Sequence, residues 1–436
     1  MRVATVFAGA PNPFQAGGPL THWALLGRLV ETGHDVVFCS LPWEDDRERA
    51  GRLEALRRLG VSIAALPPHP ERPPVNGRWR ARLEYARTLA WPDDETLFPA
   101  TRYQAALHET LASEQPEVVL AHGTPAVTAT EGAPYPKLAL MSDPPGLSRR
   151  LRTKYEPTHP WRLGRDELLY RLGAASYGRR ADRRILAVLR RYDSVGIFAA
   201  HHAEWAARHG VNAWYASSPI TDAAGPEWRE RRAAQPPNER PRILMIGHLR
   251  GISTISGLHV LVRHVLPRLD QELGSDGYEV HLVGDYEPPS SLRRALEHPA
   301  VRRRDHVEPP DEEFLRADVL LVTTPVPTGP RIRILTGFSF GCCVVAHNAN
   351  RLGIPALAHD ENALLGESDR LAGLTITALG DPELRERLGT AGRRLYESRF
   401  TAEKAGARIV EELEALGARR AGADHALHPT RPAAPA

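Results

Sequence analysis

A pattern of short apolar strands, glycine-rich loops and amphipathic helices occurs twice along this chain of 436 residues, and it restricts the fold more than any other feature. In the first unit, residues 3–7 predict a strand, a loop rich in glycine and proline follows, and a helix with apolar residues on one face ends near Gly33. Residues 36–39 predict the next strand. This order of strand, helix and strand favours right-handed crossover connections and a parallel sheet.

The same pattern predicts further strands in both halves of the chain. In the first half they lie at residues 61–64, 118–121, 137–141 and 194–198. In the second half a helix is predicted over residues 258–273, and strands are predicted at residues 242–246, 279–283, 318–322 and 344–346. Ligands bind at the carboxyl edge of such parallel sheets, so the loops after these strands are the candidate binding segments.

Domain boundaries follow from where this pattern stops. Residues 223–241 are charged and rich in proline and have no apolar period, which indicates a linker. We therefore predict an α/β protein with two facing Rossmann-like domains, residues 1–222 and 242–399, and an interdomain cleft. Residues 400–420 predict a C-terminal helix, and residues 421–436 predict a disordered tail.

Length and composition exclude some classes of protein. The chain is long enough for two or three domains of about 100–200 residues each. It has no apolar run of roughly 18 residues that could span a membrane and no long apolar stretch typical of a signal peptide, so we expect a cytoplasmic location. The net charge of +3 does not indicate a nucleic-acid partner. The three cysteines have no metal-binding spacing, and the adjacent His201 and His202 lack a third ligand, so we expect no metal site.

Positive charge is concentrated in one segment of the first half. Residues 149–191 contain 13 Lys and Arg residues against 4 Asp and Glu residues, with leucines between them. One interpretation is a pair of solvated helices that bury these leucines. The other is a surface that contacts an anionic acceptor or the lipid headgroups of a membrane to which the protein binds peripherally.

Several segments, taken in their order along the chain, carry a resemblance to a known family. They are Gly17 and Gly18 with the sequence GHDV at residues 33–36, residues 192–222, residues 243–284, residues 328–365, and residues 381–400. With these segments the chain resembles the retaining glycosyltransferases of family four, which have the GT-B fold of two Rossmann-like domains. The resemblance extends over most of residues 1–220 and 241–416.

This resemblance implies a metal-independent hexosyltransferase without a cofactor. Such an enzyme moves a sugar from a nucleoside-diphosphate donor to a hydroxyl or amine of an acceptor, with retention of configuration; the acceptor is not identified. Glycines and helix N-termini suit a diphosphate because backbone N–H groups can approach it closely, and arginines add charged hydrogen bonds. The predicted donor-binding residues are Gly17, Gly18, His248, Arg250, Thr328, Arg331, Arg333, Thr336 and Asn362. We expect Arg331→Ala to weaken donor binding strongly.

Four positions depart from the family pattern. The family has two glutamates with seven residues between them, and Thr328 and Thr336 occupy the matching positions. Its arginine and lysine after the first strand of the second domain are matched by His248 and Ser256. A neutral hydroxyl stabilises a hydrogen bond by about 0.5–1.5 kcal/mol, against roughly 1.5–3 kcal/mol for a charged group. An alternative is therefore a catalytically silent partner protein or a nucleotide-sugar-binding protein. A further alternative is other chemistry on nucleotide sugars, such as epimerisation.

His122 is the candidate catalytic residue of the first domain. It follows the predicted strand 118–121, where it could handle a proton or orient a sugar hydroxyl. Alternatively, it is a loop histidine that caps the next helix. Asp143, after another predicted strand, is interpreted as a turn residue before a proline. The sequence disfavours a nicotinamide-dependent enzyme for two reasons. The first loop has no Gly-x-Gly-x-x-Gly sequence, and the second strand ends in Cys39 and Ser40 instead of an acidic residue.

Overall fold

The computed structural model describes residues 1–13, 17–41, 49–66, 97–155, 164–285 and 287–427. The described residues form two parallel sheets, one in each half of the chain, with helices on their faces. The prediction of an α/β protein with two Rossmann-like domains is confirmed. Within these ranges, no helix has the length and apolar character needed to cross a membrane.

The first sheet has seven strands in the order β3-β2-β1-β4-β5-β6-β7. Its strands are β1 (Arg2–Ala8), β2 (Asp35–Leu41), β3 (Ser62–Ala64), β4 (Val118–His122), β5 (Lys137–Met141), β6 (Ser194–Ile197) and β7 (Ala213–Tyr215). The helices of this half are α1 (Gly18–Glu31), α2 (Arg49–Arg58), α3 (Gln104–Glu114), α4 (Gly123–Ala129), α5 (Pro145–Tyr155), α6 (Gly164–Leu189) and α7 (Ala200–Arg208). A 3-10 turn, Pro99–Tyr103, precedes α3.

The second sheet has six strands in the order β10-β9-β8-β11-β12-β13. Its strands are β8 (Arg242–Ile246), β9 (Glu279–Val283), β10 (Val301–Arg304), β11 (Val319–Val322), β12 (Val344–His347) and β13 (Leu364–Gly366). The helices of this half are α8 (Trp228–Ala233), α9 (Ile252–Val260), α10 (Leu266–Leu273), α11 (Ser290–Leu296), α12 (Asp311–Leu315), α13 (Ile332–Ser339), α14 (Leu371–Gly380), α15 (Pro382–Arg399) and α16 (Ala402–Leu427). A 3-10 turn, Asn348–Leu352, follows β12.

All the strands predicted from apolar runs are present, and three short strands were not predicted. These are β7, β10 and β13, each of three or four residues. Strand β10 reads VRRR, and its three arginines are exposed at the edge of the sheet, so it has no apolar alternation to detect. The single helix predicted over residues 258–273 is interrupted by a π-helical turn, Leu261–Val265, between α9 and α10.

Residues 223–241 contain structure that the sequence did not predict. Helix α8 lies within them, and its first residue, Trp228, is buried in the same apolar cluster as Ala224 and Phe340. Arg232 donates a hydrogen bond to the carbonyl oxygen of Phe314 at 3.1 Å. One buried tryptophan creates no periodic pattern, which is why this segment has the sequence character of a linker.

The C-terminal helix returns to the first half of the chain. Ile409, Leu413 and Leu416 of α16 are buried in one apolar cluster with Leu25 and Leu29 of α1. The helix continues to Leu427, so residues 421–427, which we expected to belong to a disordered tail, are helical. The two halves are therefore joined by a packed helix as well as by the segment around residue 222.

Candidate functional site

The main cavity lies between the two sheets, at the carboxyl ends of their strands. It has a volume of ≈ 910 Å³ and is lined by residues of both halves, including Phe7 near the end of β1, Gly9 after β1, Gly247 after β8 and Gly284 after β9. Gly284 follows β9 with φ +158°, and a Cβ placed there would lie 2.0 Å from the carbonyl oxygen of Gly247. This close approach of two backbone loops leaves peptide groups at the cavity wall, where parallel α/β sheets bind their ligands.

Arg333 brings a positive charge into this cavity. It is the second residue of α13, is half-buried and lines the cavity. Its Nη2 donates to Thr254 Oγ1 at 2.9 Å, and no carboxylate of the described residues pairs with it. Burial, with the nearby Arg331 charge, lowers the pKa of Arg333 to about 9. A cation held in a partly desolvated cavity without a counter-ion is suited to binding an anion.

Gly247 allows the Arg333 guanidinium to take this position. The glycine has φ +147°, and a Cβ there would lie 2.6 Å from Arg333 Nη2. Any other residue at this position would displace the guanidinium as well as strain the backbone. The loop after β8 therefore packs directly against the Arg333 guanidinium at the start of α13.

Arg331 has different surroundings, although it stands two residues earlier. Its side chain donates to the carbonyl oxygen of Gly329 and to Thr328 Oγ1, and it is not among the residues that line the cavity. Thr328 is itself buried, with its hydroxyl 3.2 Å from Ser253 Oγ. Burial lowers the pKa of Arg331, and the charge of Asp143 opposes this shift. Arg331 and Thr328 thus hold the loop before α13 in place.

The remaining predicted donor residues divide between the cavity wall and other positions. His248 and Thr336 line the cavity. Gly17, with φ +80°, occupies the N-cap position of α1, and Gly18 is the first residue of that helix. The next two residues of the helix, Pro19 and Leu20, line the cavity.

Arg250 and Asn362 lie away from this wall. Arg250 is exposed and is not among the lining residues. Asn362 closes its own turn, because its Nδ2 donates to the Ala356 carbonyl at 3.0 Å and its Oδ1 accepts from the Ala358 amide at 3.1 Å. Neither Arg250 nor Asn362 therefore lines the cavity.

His122 lines the cavity from the first domain. It ends β4 and holds the N-cap position of α4, but its side chain makes no capping hydrogen bond, so the interpretation as a helix cap is wrong. Instead, its Nδ1 lies 3.0 Å from Nδ1 of His22. Burial lowers the pKa of His122 to about 3, so the imidazole is neutral at physiological pH.

Comparison with known proteins agrees with this architecture. Residues 240–381 match the family model described as glycosyl transferases group 1. Solved structures with the same fold include HepE from Anabaena in complex with UDP (14% identity, TM-score 0.60, covering 95% of this chain and 100% of that chain). Sucrose-phosphate synthase from Thermosynechococcus elongatus has 14% identity and a TM-score of 0.66, covering 96% of this chain and 99% of that chain. None of the curated proteins compared with the chain matches it.

The chain has the GT-B fold of glycosyltransferases. A third solved structure, WaaG, a glycosyltransferase involved in lipopolysaccharide biosynthesis, has 13% identity and a TM-score of 0.60, covering 95% of this chain and 99% of that chain. The resemblance to GT-B glycosyltransferases that was based on sequence segments is therefore confirmed.

Two residues at the cleft, one packed behind its wall and one lining it, were not found from the sequence. His22 of α1 is completely buried, and its ring stacks on Phe7 with the centroids 4.7 Å apart. It shares a helix face with Leu25, Leu26 and Leu29, so a polar residue on an apolar face was the available signal. Glu308 also lines the cleft and gave no such signal.

The two domains contact each other in two places. On one side, Asn12 Nδ2 donates to Glu308 Oε1 at 3.1 Å. On the other, Asp143 Oδ1 accepts from the backbone N–H of Gly329, and His201 lies against the carbonyl oxygens of Leu352 and Pro327 at 2.6 Å and 3.0 Å. Asp143, for which the sequence favoured the role of a turn residue, thus joins the domains.

Metal binding has no support in the part of the chain that the structure describes. There, no group of three or more His, Cys, Asp or Glu side chains could hold an ion. His202, considered above as a weak metal signal, has its Nδ1 2.9 Å from the Ser142 carbonyl oxygen.

Proposed function

We propose that the protein is a glycosyltransferase that moves a sugar from a nucleoside-diphosphate donor to a hydroxyl or amine of an acceptor, with retention and without a metal ion. The observation that carries this proposal is Arg333 in the interdomain cleft, which pairs with no carboxylate in the part of the chain that the structure describes. The match of residues 240–381 to the glycosyl transferases group 1 model and the UDP bound in the HepE structure support it.

Arg333 is proposed to bind the diphosphate of the donor. A diphosphate carries about two to three negative charges, and negative charge grows on it as the glycosidic bond breaks. Arg333 can stabilise that charge together with the N-terminus of α13 and the backbone loops at Gly247 and Gly284. In this scheme Arg333 takes over the role that the family assigns to the cations replaced here by His248 and Ser256.

Thr336 is proposed to hold a hydroxyl of the donor. It lines the cleft one helical turn after Arg333, so its hydroxyl can exchange a neutral hydrogen bond with the ribose or the sugar. Thr328 is assigned a structural role instead, because its hydroxyl is occupied by Arg331 and Ser253.

The acceptor is proposed to meet the first domain, and the basic segment 149–191 is the candidate surface for an anionic acceptor or lipid headgroups. Within it, Arg150 pairs with Asp182 at 3.0 Å, and Arg184 and Arg191 pair with Glu131. The exposed Lys154 of α5 and the exposed Arg179 and Arg183 of α6 are candidate cations for such a contact. A cytoplasmic location stays a prediction.

Calorimetric titration of the purified protein with UDP, GDP, dTDP and ADP tests the donor site. We expect one diphosphate to bind, and Arg333→Ala to weaken it by roughly 10-fold to 100-fold, because a charged hydrogen bond contributes about 1.5–3 kcal/mol. Arg250→Ala is the matched control, since the exposed Arg250 is not among the lining residues, and it should leave the affinity within about twofold, or 0.4 kcal/mol. Equal affinities for the wild type and Arg333→Ala, or no binding of any diphosphate, would contradict the proposal.

A second candidate function is a nucleotide-sugar-binding protein without turnover. Thr328 and Thr336 favour it, since neither position supplies a charged acceptor. The nucleotide sugar of whichever diphosphate binds separates the two candidates. Release of free diphosphate from it, as the sugar passes to water or to an added hydroxyl or amine acceptor, identifies an enzyme, whereas binding without any release over hours in the presence of a panel of such acceptors identifies a binding protein.

A further inference from the structure

A pair of buried imidazoles lies at the cleft wall, with His122 lining the cleft and His22 behind it. His22 on α1 is completely buried and His122 at the end of β4 is 3% exposed, and their Nδ1 atoms are 3.0 Å apart. Phe7 contacts both rings, with centroid distances of 4.7 Å and 5.1 Å, and Phe38 and Phe198 complete the enclosure. Among the described residues, His22 Nε2 has no hydrogen-bond partner.

The contact between the two Nδ1 atoms restricts where the protons can be. A neutral imidazole has one N–H donor and one bare acceptor nitrogen. A hydrogen bond between two Nδ1 atoms therefore requires one protonated Nδ1 and one bare Nδ1, so the two rings must be opposite tautomers. Burial lowers the pKa of both histidines, because the enclosing phenylalanine rings offer no compensation for a charge, and neither ring is an imidazolium.

The unpartnered nitrogen of His22 decides between the two arrangements. If His22 Nδ1 were bare, its proton would be on Nε2, where it would form a buried N–H donor without an acceptor. Unpaired buried N–H groups are rarer than acceptors with an unused lone pair. The favoured arrangement thus has the proton of His22 on Nδ1, which donates to the bare Nδ1 of His122.

We propose that His22 is a positioning residue that holds His122 in the tautomer with its proton on Nε2. His122 then presents an N–H donor to the cleft, suited to an acceptor oxygen of the bound donor substrate. The identity of that substrate rests on the proposed function. Two roles were considered for His122, proton transfer and orientation of a sugar hydroxyl. In the proposed tautomer Nε2 already carries a proton, so it can donate a hydrogen bond to a ligand oxygen but cannot remove a proton from the acceptor.

Long-range ¹⁵N–¹H correlation spectra of the full-length, ¹⁵N-histidine-labelled protein at pH 7 test the tautomers directly. His22→Phe and His122→Phe variants assign the two ring systems. We expect protonated Nδ1 and bare Nε2 for His22, and bare Nδ1 and protonated Nε2 for His122. The reversed pattern, or protonation of both nitrogens in either ring, would overturn the proposal. No ligand is needed, so a failure here is distinct from a failure of diphosphate binding.

Substitution of His22 tests its role in positioning. In His22→Asn, the amide nitrogen can still donate to His122, and we expect the Nε2-protonated tautomer to persist. In His22→Leu we expect His122 to become a mixture of the two tautomers, while the control variant His209→Asn leaves it unchanged, because His209 is an exposed residue that contacts Trp205. A single unchanged tautomer in His22→Leu would refute the positioning role. If His22→Leu does not fold, the tautomers of the wild type and of His22→Asn decide the question.

Discussion

Arg331 and Arg333 stand two residues apart at the start of α13, yet they differ in what surrounds their guanidinium groups. Arg331 donates to Gly329 and Thr328 within its own loop, whereas Arg333 reaches the cleft over Gly247. Removing a buried arginine that donates to carbonyl and hydroxyl groups leaves those groups unpaired. Arg331 therefore stabilises the loop before α13. Within the described ranges, the one hydrogen-bond partner of Arg333 is Thr254, and the charge of Arg333 remains available to a ligand.

His122 gives a prediction about stability and pH. Its pKa is lowered from 6.5 to about 3 in the folded protein. As pH falls below 6.5, the unfolded chain binds a proton that the folded protein does not, so stability is lost by up to roughly 1.4 kcal/mol per pH unit until the folded pKa is reached. His122→Asn removes this contribution, and we expect its free energy of unfolding to fall less steeply between pH 7 and about 5.

Urea unfolding of His122→Asn at several pH values in this window measures the effect. The pKa of His22 is lowered in the same direction, so part of the dependence should remain in the variant. His209→Asn serves as a control on an exposed helix end and should keep the slope of the wild type. An identical slope in His122→Asn would show that this histidine does not carry the lowered pKa.

Among the elements, the short helix α8 contributes a buried tryptophan to the core of the second domain. Trp228 packs onto Gly341, which has φ +64°, and a Cβ at Gly341 would lie 2.0 Å from the indole ring. The helix also brings Arg231 to Asp311 at 2.8 Å. It therefore closes one side of the second domain next to α12 and α13, the helices that support the cleft.

Trp228→Ala is expected to destabilise the protein by about 3–5 kcal/mol, because it removes a buried aromatic side chain and leaves a cavity over Gly341. The midpoint of urea unfolding measures this loss. Glu230→Ala, at an exposed position of the same helix, is the control and should change stability by less than about 0.5 kcal/mol. A loss below about 1 kcal/mol for Trp228→Ala would mean that α8 is not part of the core.

In the molecule as a whole, the two domains are joined where the chain crosses between them. Arg393 of α15 binds Asp222 through two hydrogen bonds of 2.8 Å and 2.6 Å, and Tyr396 donates to the Ile220 carbonyl at 2.9 Å. Helix α16 then packs on the first domain. The C-terminal segment thus completes the core of the N-terminal domain, and the two domains are not independent units.

Leu413→Ala tests this connection. The leucine is completely buried against the first domain, so its truncation should cost about 2–5 kcal/mol. Glu411→Ala, exposed on the same helix, should have little effect. Proteolysis followed by mass spectrometry shows where the variant opens. Cleavage first within residues 1–222 or α16 is expected, and first cleavage within residues 242–399 would contradict the assignment of α16 to the first domain.

The alternation of strands and helices, the two parallel sheets and the loops at their carboxyl edges could be predicted from the sequence alone. These follow from apolar periodicity and glycine placement within short windows of the chain, which is local information. For the same reason β10 and α8 were not predicted, since an exposed arginine strand and a single buried tryptophan have no period.

Which side chains meet in the cleft depends on how distant segments of the chain pack together. His22 and His122 are 100 residues apart, Asn12 and Glu308 are 296 apart, and the difference between Arg331 and Arg333 depends on how Gly247 approaches α13. Burial and hydrogen bonding act through space, so two residues with the same chemistry and nearly the same position in the chain can have different roles. The sequence therefore determined the kind of fold and the region of the site, and packing decided its residues.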